Sequence, residues 1–148
     1  SLITGISART GGSTAIARTR RNLFPAVSQA GDVVVLAPEF LGTHASEFGQ
    51  FCVGNVLQTP LPEIIKQSAR APYVQDYWAG LDDAEKTCEY YAFCGGGHAS
   101  NKYFELGSTR GTETQHCRQT VKLVLNAVLD AITPRALPDD SRPPGRPV

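Results

Sequence analysis

The chain has 148 residues, about one domain's length, with 41% apolar residues, 14 glycines and 10 prolines, so it can bury a core but carries much loop. Fourteen basic residues balance fourteen acidic ones, and a formal net charge of zero argues against general electrostatic attraction to nucleic acid or to a membrane surface. No apolar run approaches membrane-spanning length, and no basic segment followed by a hydrophobic stretch opens the chain, which points to a cytoplasmic protein.

In such a compartment the four cysteines serve as thiols or metal ligands more readily than as disulfides. The chain opens at Ser1 and has no methionine, which fits a processed or excised piece of a longer protein.

Leu2 to Ile6 reads as a short strand. Gly11-Gly12-Ser13-Thr14 forms a turn whose hydroxyls can cap a short helix from Ala15 to Leu23, stopped near Pro25. Arg18, Arg20 and Arg21 lie on its solvated face. Asp32 to Ala37 is the clearest strand, a β-branched run of the kind buried on both faces. Glu39 follows it, either as a site residue or as a solvated or capping carboxylate.

Phe48 to Val56, with Cys52 and the turn Gly54-Asn55, reads as a strand or hairpin edge. Pro62 opens a helix running through Gln67, and a second short helix covers Val74 to Ala79 with Gly80 as its stop. Tyr77 and Trp78 are core aromatics. Thr112 and Gln115 form a capping-box pattern, after which Cys117, Val121, Val124, Leu125, Val128 and Ile132 make one apolar stripe. That helix ends near Pro134, and residues 134–148 read as a disordered tail.

Three of the four cysteines, Cys88, Cys94 and Cys117, bracket the only triple glycine, Gly95-Gly96-Gly97. Glycines beside a ligating cysteine allow backbone shapes closed to other residues and bring N–H groups close to cluster sulfides. Zinc ribbons pair their ligands two residues apart, and no such pair occurs. Buried, inert thiols explain Cys52 easily and Cys117 moderately, but Cys94 poorly. His98 stands in reserve as a fourth ligand, whereas His44 and His116 show no site-like spacing. A Cys94–His98 hydrolase has no evident orienting partner. Metal ligation and inert cysteines both stand open on spacing alone.

The run Cys88-Glu-Tyr-Tyr-Ala-Phe-Cys94-Gly-Gly-Gly, then Ser100-Asn-Lys-Tyr-Phe-Glu105-x-Gly107-Ser108, then Thr112-Glu-Thr-x-x-Cys117-Arg118, resembles the C-terminal region of radical S-adenosylmethionine (SAM) peptide maturases. These carry a SPASM-type auxiliary cluster domain, and the nearest group is the cyclophane-forming maturases of ribosomally made peptides (RiPP biosynthesis). Gly31 through Gly42 resembles the last barrel strand and its exit, and Phe51-x-x-Gly54-Asn55-Val56 the segment leading into the auxiliary domain. The likeness runs from Asn22 to Ile132.

The resemblance implies a cytoplasmic radical SAM enzyme that cross-links side chains of a precursor peptide, with this region binding a [4Fe–4S] cluster and the peptide. By position, Cys88, Cys94 and Cys117 match cluster cysteines, and Cys52 is taken as the fourth metal ligand although it matches no expected position. The three-cysteine radical SAM signature is absent, so SAM belongs to a full-length relative, and the missing barrel is a natural partner. A cysteine expected just before Cys88 is replaced by Ala84 and Glu85, and His98 stands where many such domains place another, which limits this chain to one cluster.

The expected fold is α+β, with short strands, a loop-rich cysteine module and a long C-terminal helix packed over it, as a fragment of a larger barrel-plus-SPASM protein. Residues 1–42 form the end of the barrel-like part (strand 32–37), 43–133 the auxiliary cluster domain, and 134–148 the tail. The alternatives are a metal-free interaction domain on the same scaffold and a small cysteine-dependent enzyme using Cys94.

Overall fold

The computed structural model describes residues 21–45 and 49–133. The strand at Leu2–Ile6, the helix up to residue 20, Phe48 and the tail lie outside the described residues.

Two short strands open the described part, β1 (Pro25–Val27) and β2 (Asp32–Val35), paired antiparallel with Ala26 opposite Val34. A turn closed by the Gly31 N–H on the Ser28 carbonyl, 3.0 Å, joins them. A later strand, β5 (Gly54–Asn55), lies antiparallel on the other edge of β2, so β2 is central in an order β1-β2-β5. Val33, Val34 and Val35 are at most 1% exposed. Consecutive strand residues point to opposite faces, so both faces of β2 are covered, as its β-branched run predicts.

The expected turn at Gly54-Asn55 is instead strand. Asn55 fixes it there by donating through Nδ2 to the Asp32 carboxylate and the Ala30 carbonyl, each at 2.9 Å. The sheet thereby joins residues on both sides of position 42. A separate two-strand ribbon pairs β3 (His44–Ala45) with β4 (Gly49–Gln50).

The exit from β2 is abrupt because Leu36 takes a left-handed backbone, φ +74°, unusual for a residue with a side chain. Ala37 is then extended, as a residue before proline prefers, and a 3-10 turn covers Pro38–Phe40. Phe40 is thrown into the core, where its ring stacks on Phe51 at 4.2 Å between centroids. Tyr73 and Tyr103 meet Phe51 edge-on at 4.9 and 4.8 Å, an arrangement that the aromatic quadrupole favours.

Helix α1 (Leu61–Ser68) starts on Pro62 as predicted, and its Ile64 fills the space over Gly54. Helix α2 (Pro72–Thr87) is one continuous 16-residue helix, not a short helix ending at Gly80. Gly80 sits in its interior because the Arg110 carbonyl approaches so closely that a Cβ would lie 2.1 Å from its oxygen. The glycine is therefore a packing residue rather than a stop. Helix α2 buries Tyr73, Val74, Tyr77, Leu81 and Ala84, and Arg21 pairs with its Asp82.

The cysteine module is more helical than expected: α3 (Tyr91–Cys94) and α4 (Ala99–Leu106) flank the glycines. The C-terminal helix starts as a π-wound segment, Cys117–Lys122, and continues as α5 (Leu123–Ile132). Its cap also differs from the predicted box. Glu105 accepts the Gln115 and His116 N–H groups at 2.6 and 3.1 Å, and Thr114 Oγ1 accepts that of Cys117 at 3.0 Å.

The predicted apolar stripe divides in two. Its Cys117, Val121 and Leu125 are half-buried, continued by Leu129, which was not among the predicted positions, whereas Val124, Val128 and Ile132 face solvent. The half-buried positions recur at every fourth residue through the π-wound segment and on into α5, which leaves the rest of the helix surface exposed. The long helix therefore lies against the module along one narrow edge rather than packing over it. The described chain is a mixed α and β structure.

Candidate functional site

Chain reversal at the end of α2 brings the cysteines together. Cys88 ends α2 in extended backbone, φ −109° and ψ 115°, and its N–H still reaches the Ala84 carbonyl at 2.8 Å. One turn of α3 then carries the chain to Cys94, and Gly95 caps it in a left-handed conformation, with its N–H on the Tyr91 carbonyl at 2.8 Å.

Gly96 has two reasons to lack a side chain. Its φ is +92°, and a Cβ there would lie 2.4 Å from Leu81 Cδ2. This close approach aims the Gly96 N–H at Cys94 Sγ, 3.4 Å away. The next carbonyl, of Gly97, accepts the Tyr77 hydroxyl at 2.7 Å, which ties the loop to the middle of α2.

Cys117 enters from the far side on the π-wound segment. The result is a cavity of about 130 Å³ whose wall includes Cys88, Cys94 and Cys117, with Ala84 and Tyr91 from the helical side and Gly96, Gly97 and His98 from the loop. Asn101, Lys102, Thr112, Thr114 and His116 complete its polar lining. Burial raises the Cys117 thiol above its ordinary range, and the neighbouring Cys94 and Cys88 thiols push the same way. Those couplings place the three sulfurs in one electrostatic neighbourhood.

Lys102 adds a cation to this wall. It is 2% exposed, and its Nζ lies 5.0 Å from the centre of the Tyr77 ring. The cation that acts on the thiols is Lys122, which opposes the rise at Cys117. Lys102 was legible only as part of the Ser100-to-Glu105 run, and no pattern in the sequence marked it as buried. His116 was set aside for lack of spacing, yet it lines the same cavity.

Cys52 is not brought to this place. Its Sγ donates to the Gly54 carbonyl at 3.3 Å, and it lines a different cavity with Gln67, Arg70 and Tyr73. The short Phe51–Asn55 segment is pinned to β2 by the Val53 N–H on the Val33 carbonyl, 2.8 Å, which holds Cys52 at the sheet. Glu39 and Asn22 line a groove of about 580 Å³ that shares His98, Asn101 and His116 with the cysteine cavity.

The residues present fit a cluster in two respects: three thiols on one cavity and a backbone N–H directed at one of the sulfurs. Among the described residues, no three His, Cys, Asp or Glu side chains converge closely enough to hold a single metal ion. That requirement is stricter than a cluster's. Zinc draws four ligands to about 2.3 Å from one point, whereas cluster thiolates bind separate irons and stand farther apart.

No family model matches the chain, and no solved structure matches it. An uncharacterized protein of the cyanobacterium Synechocystis is 32% identical over 106 residues, which is 72% of this chain and 27% of that protein. The chain thus spans about a quarter of the length of the relative it matches. Among the described residues, no helix is long and apolar enough to cross a membrane.

Proposed function

We propose that this chain is the auxiliary-cluster and peptide-binding region of a cytoplasmic radical SAM maturase that cross-links a ribosomally made precursor peptide. The observation that carries the reading is the convergence of Cys88, Cys94 and Cys117 on one cavity, with the Gly96 N–H on Cys94 Sγ. The motif resemblance selects those three cysteines, and the fold independently seats them around one space and leaves Cys52 elsewhere.

In this reading the thiolates hold one [4Fe–4S] cluster, which supplies redox chemistry when bound. The Gly96 N–H favours the more reduced, more negative state, as hydrogen bonds to sulfur do for cluster potentials. The groove containing Glu39, which opens beside His98 and His116, receives the peptide. Cleavage of SAM belongs to a barrel with the three-cysteine signature that this sequence lacks. The greater length of the Synechocystis relative leaves room for such a part.

A second reading, a metal-free interaction domain, draws support from the exposed apolar residues of α5: Leu123, Val124, Val128 and Ile132 are 49 to 69% exposed. Anaerobic reconstitution with iron and sulfide separates the two. The first reading expects bound iron and sulfide with broad charge-transfer absorption, lost in Cys94→Ser and retained in Cys52→Ser. A wild-type protein that binds no iron refutes it.

A further inference from the structure

Three thiols leave a four-iron cluster one protein ligand short, and the wall of the cavity narrows the choice. Ala84 faces the thiols from α2 one turn before Cys88 and is 1% exposed, so that helix offers no second donor there. Cys52 is held at the sheet by the β2 pairing. Of the remaining polar side chains on the cavity wall, the Tyr91 hydroxyl is engaged with Arg21, those of Asn101, Thr112 and Thr114 are weak donors to iron, and an ammonium such as Lys102 has no lone pair to give. Imidazole nitrogen is an established replacement for thiolate on cluster iron. Two imidazoles line the cavity, His98 and His116.

The backbone distinguishes them. His116 immediately precedes Cys117 in a helical segment, and neighbouring residues on a helix do not face the same way. Its N–H is moreover anchored to Glu105 at 3.1 Å, which fixes the segment's orientation. Both imidazoles also line the Glu39 groove, so the distinction rests on the helical backbone at His116 and the glycine turn before His98.

His98 reaches the cavity by a different route. Three consecutive left-handed glycines, with φ of +63°, +92° and +79°, turn the chain back on itself just after Cys94. The Tyr77 hydroxyl holds the carbonyl immediately before His98. That bond fixes where the backbone enters His98, on the rim of the cavity that it lines.

We propose that His98 supplies the fourth protein ligand through a ring nitrogen, giving a Cys88, Cys94, His98 and Cys117 set. This inference rests on the cluster reading above. It makes the cysteine-to-histidine exchange at this position a tuning device, because a neutral imidazole in place of a thiolate raises the reduction potential.

The test uses the full chain, labelled with ¹⁵N-histidine and reconstituted anaerobically with iron and sulfide. Pulsed electron paramagnetic resonance of the reduced cluster then reads any nitrogen bound to iron. Wild type is expected to show a histidine nitrogen coupling that persists in His116→Ala. His98→Ala is expected to lose that coupling or the cluster itself. His98→Cys is expected to hold the cluster without the coupling and at a lower potential. Circular dichroism confirms that each variant folds.

A cluster with no histidine nitrogen in wild type overturns this inference and leaves the cluster reading standing. So does a coupling that survives in His98→Ala or vanishes in His116→Ala. A wild-type protein that takes up no cluster overturns both.

Discussion

Replacing Tyr73 by Phe removes one oxygen atom from the centre of the core and nothing else. The Tyr73 hydroxyl donates to the Phe51 carbonyl at 3.1 Å and accepts the Val35 N–H at 3.4 Å, a long bond that contributes little. The ring keeps its edge-on contacts with Phe51 and Phe40 in the variant, so packing is unchanged. The cost is the buried hydrogen bond lost to the Phe51 carbonyl, about 1–2 kcal/mol at neutral pH, which for a chain of this size lowers the midpoint of thermal unfolding by roughly 2–8 °C.

The same hydroxyl gives the prediction a second arm. Burial pushes the Tyr73 phenol from 10.0 up to about 12, with the Val35 amide opposing and Cys52 adding to it. A phenol that ionises later in the folded state than in the unfolded one costs nothing below pH 10. Stability is then lost as the pH climbs through the window up to about 12. At roughly 1.4 kcal/mol per pH unit the full loss is about 3 kcal/mol. Because that exceeds the neutral-pH cost of the substitution, the wild type starts more stable than Tyr73→Phe and the order inverts near the top of the window. Urea unfolding followed by circular dichroism at pH 7 and at intervals above pH 9.5 measures the gap directly. A variant as stable as wild type at pH 7, or a gap that does not narrow with alkali, refutes the reasoning.

Gly80→Ala is expected to destabilise by about 1–2 kcal/mol in the same urea assay, although alanine is the better helix former by about 1 kcal/mol, because overpacking costs about 1–3 kcal/mol. The new methyl would sit 2.1 Å from the Arg110 carbonyl oxygen, a backbone atom that cannot step aside. Thr109→Val keeps the shape of a fully buried side chain but deletes its 2.7 Å bond to the Tyr73 carbonyl, and a loss of about 1–2 kcal/mol is expected. Glu105→Gln keeps an acceptor but removes the charge that faces two N–H groups at the start of the Cys117 helix. Helical signal and thermal midpoint should both fall slightly, by the equivalent of about 0.5–1 kcal/mol.

What the sequence disclosed and what it hid follow from the range of the forces involved. The Asp32–Val35 strand and the Pro62 helix start were readable because β-branched runs and a first-turn proline act locally. Gly80 misled because its role is set by Arg110, thirty residues on, and a glycine in a helical pattern has the same signature whether it stops a helix or admits a neighbour. Cys88, Cys94 and Cys117 were chosen on motif and glycine context, and the fold gathers them. Cys52 was chosen only to complete a count. Its position is dictated by pairing with a strand twenty residues earlier, which no local pattern announces. Lys102 and His116 escaped for the same reason: their place in the cavity depends on how α4 and the π-wound segment meet.

That segment has an energetic consequence. From Cys117 to Ile132 no side chain is fully buried, and the ties to the body are few: Tyr90 to Asn126 at 3.0 Å, Lys122 to Glu113 at 2.6 Å, and the Glu105 cap. A helix of this length is marginal in water by itself, so the third thiol rides on an arm whose seating is an equilibrium rather than a fixture. Anything that bridges Cys117 to Cys88 and Cys94 draws on that equilibrium, and thermodynamic reciprocity makes the arm and the centre each other's effector. Bridging the three thiols should slow amide hydrogen exchange along Leu123–Ile132, and a partner gripping the exposed side of that helix should in turn tighten the hold on whatever bridges them.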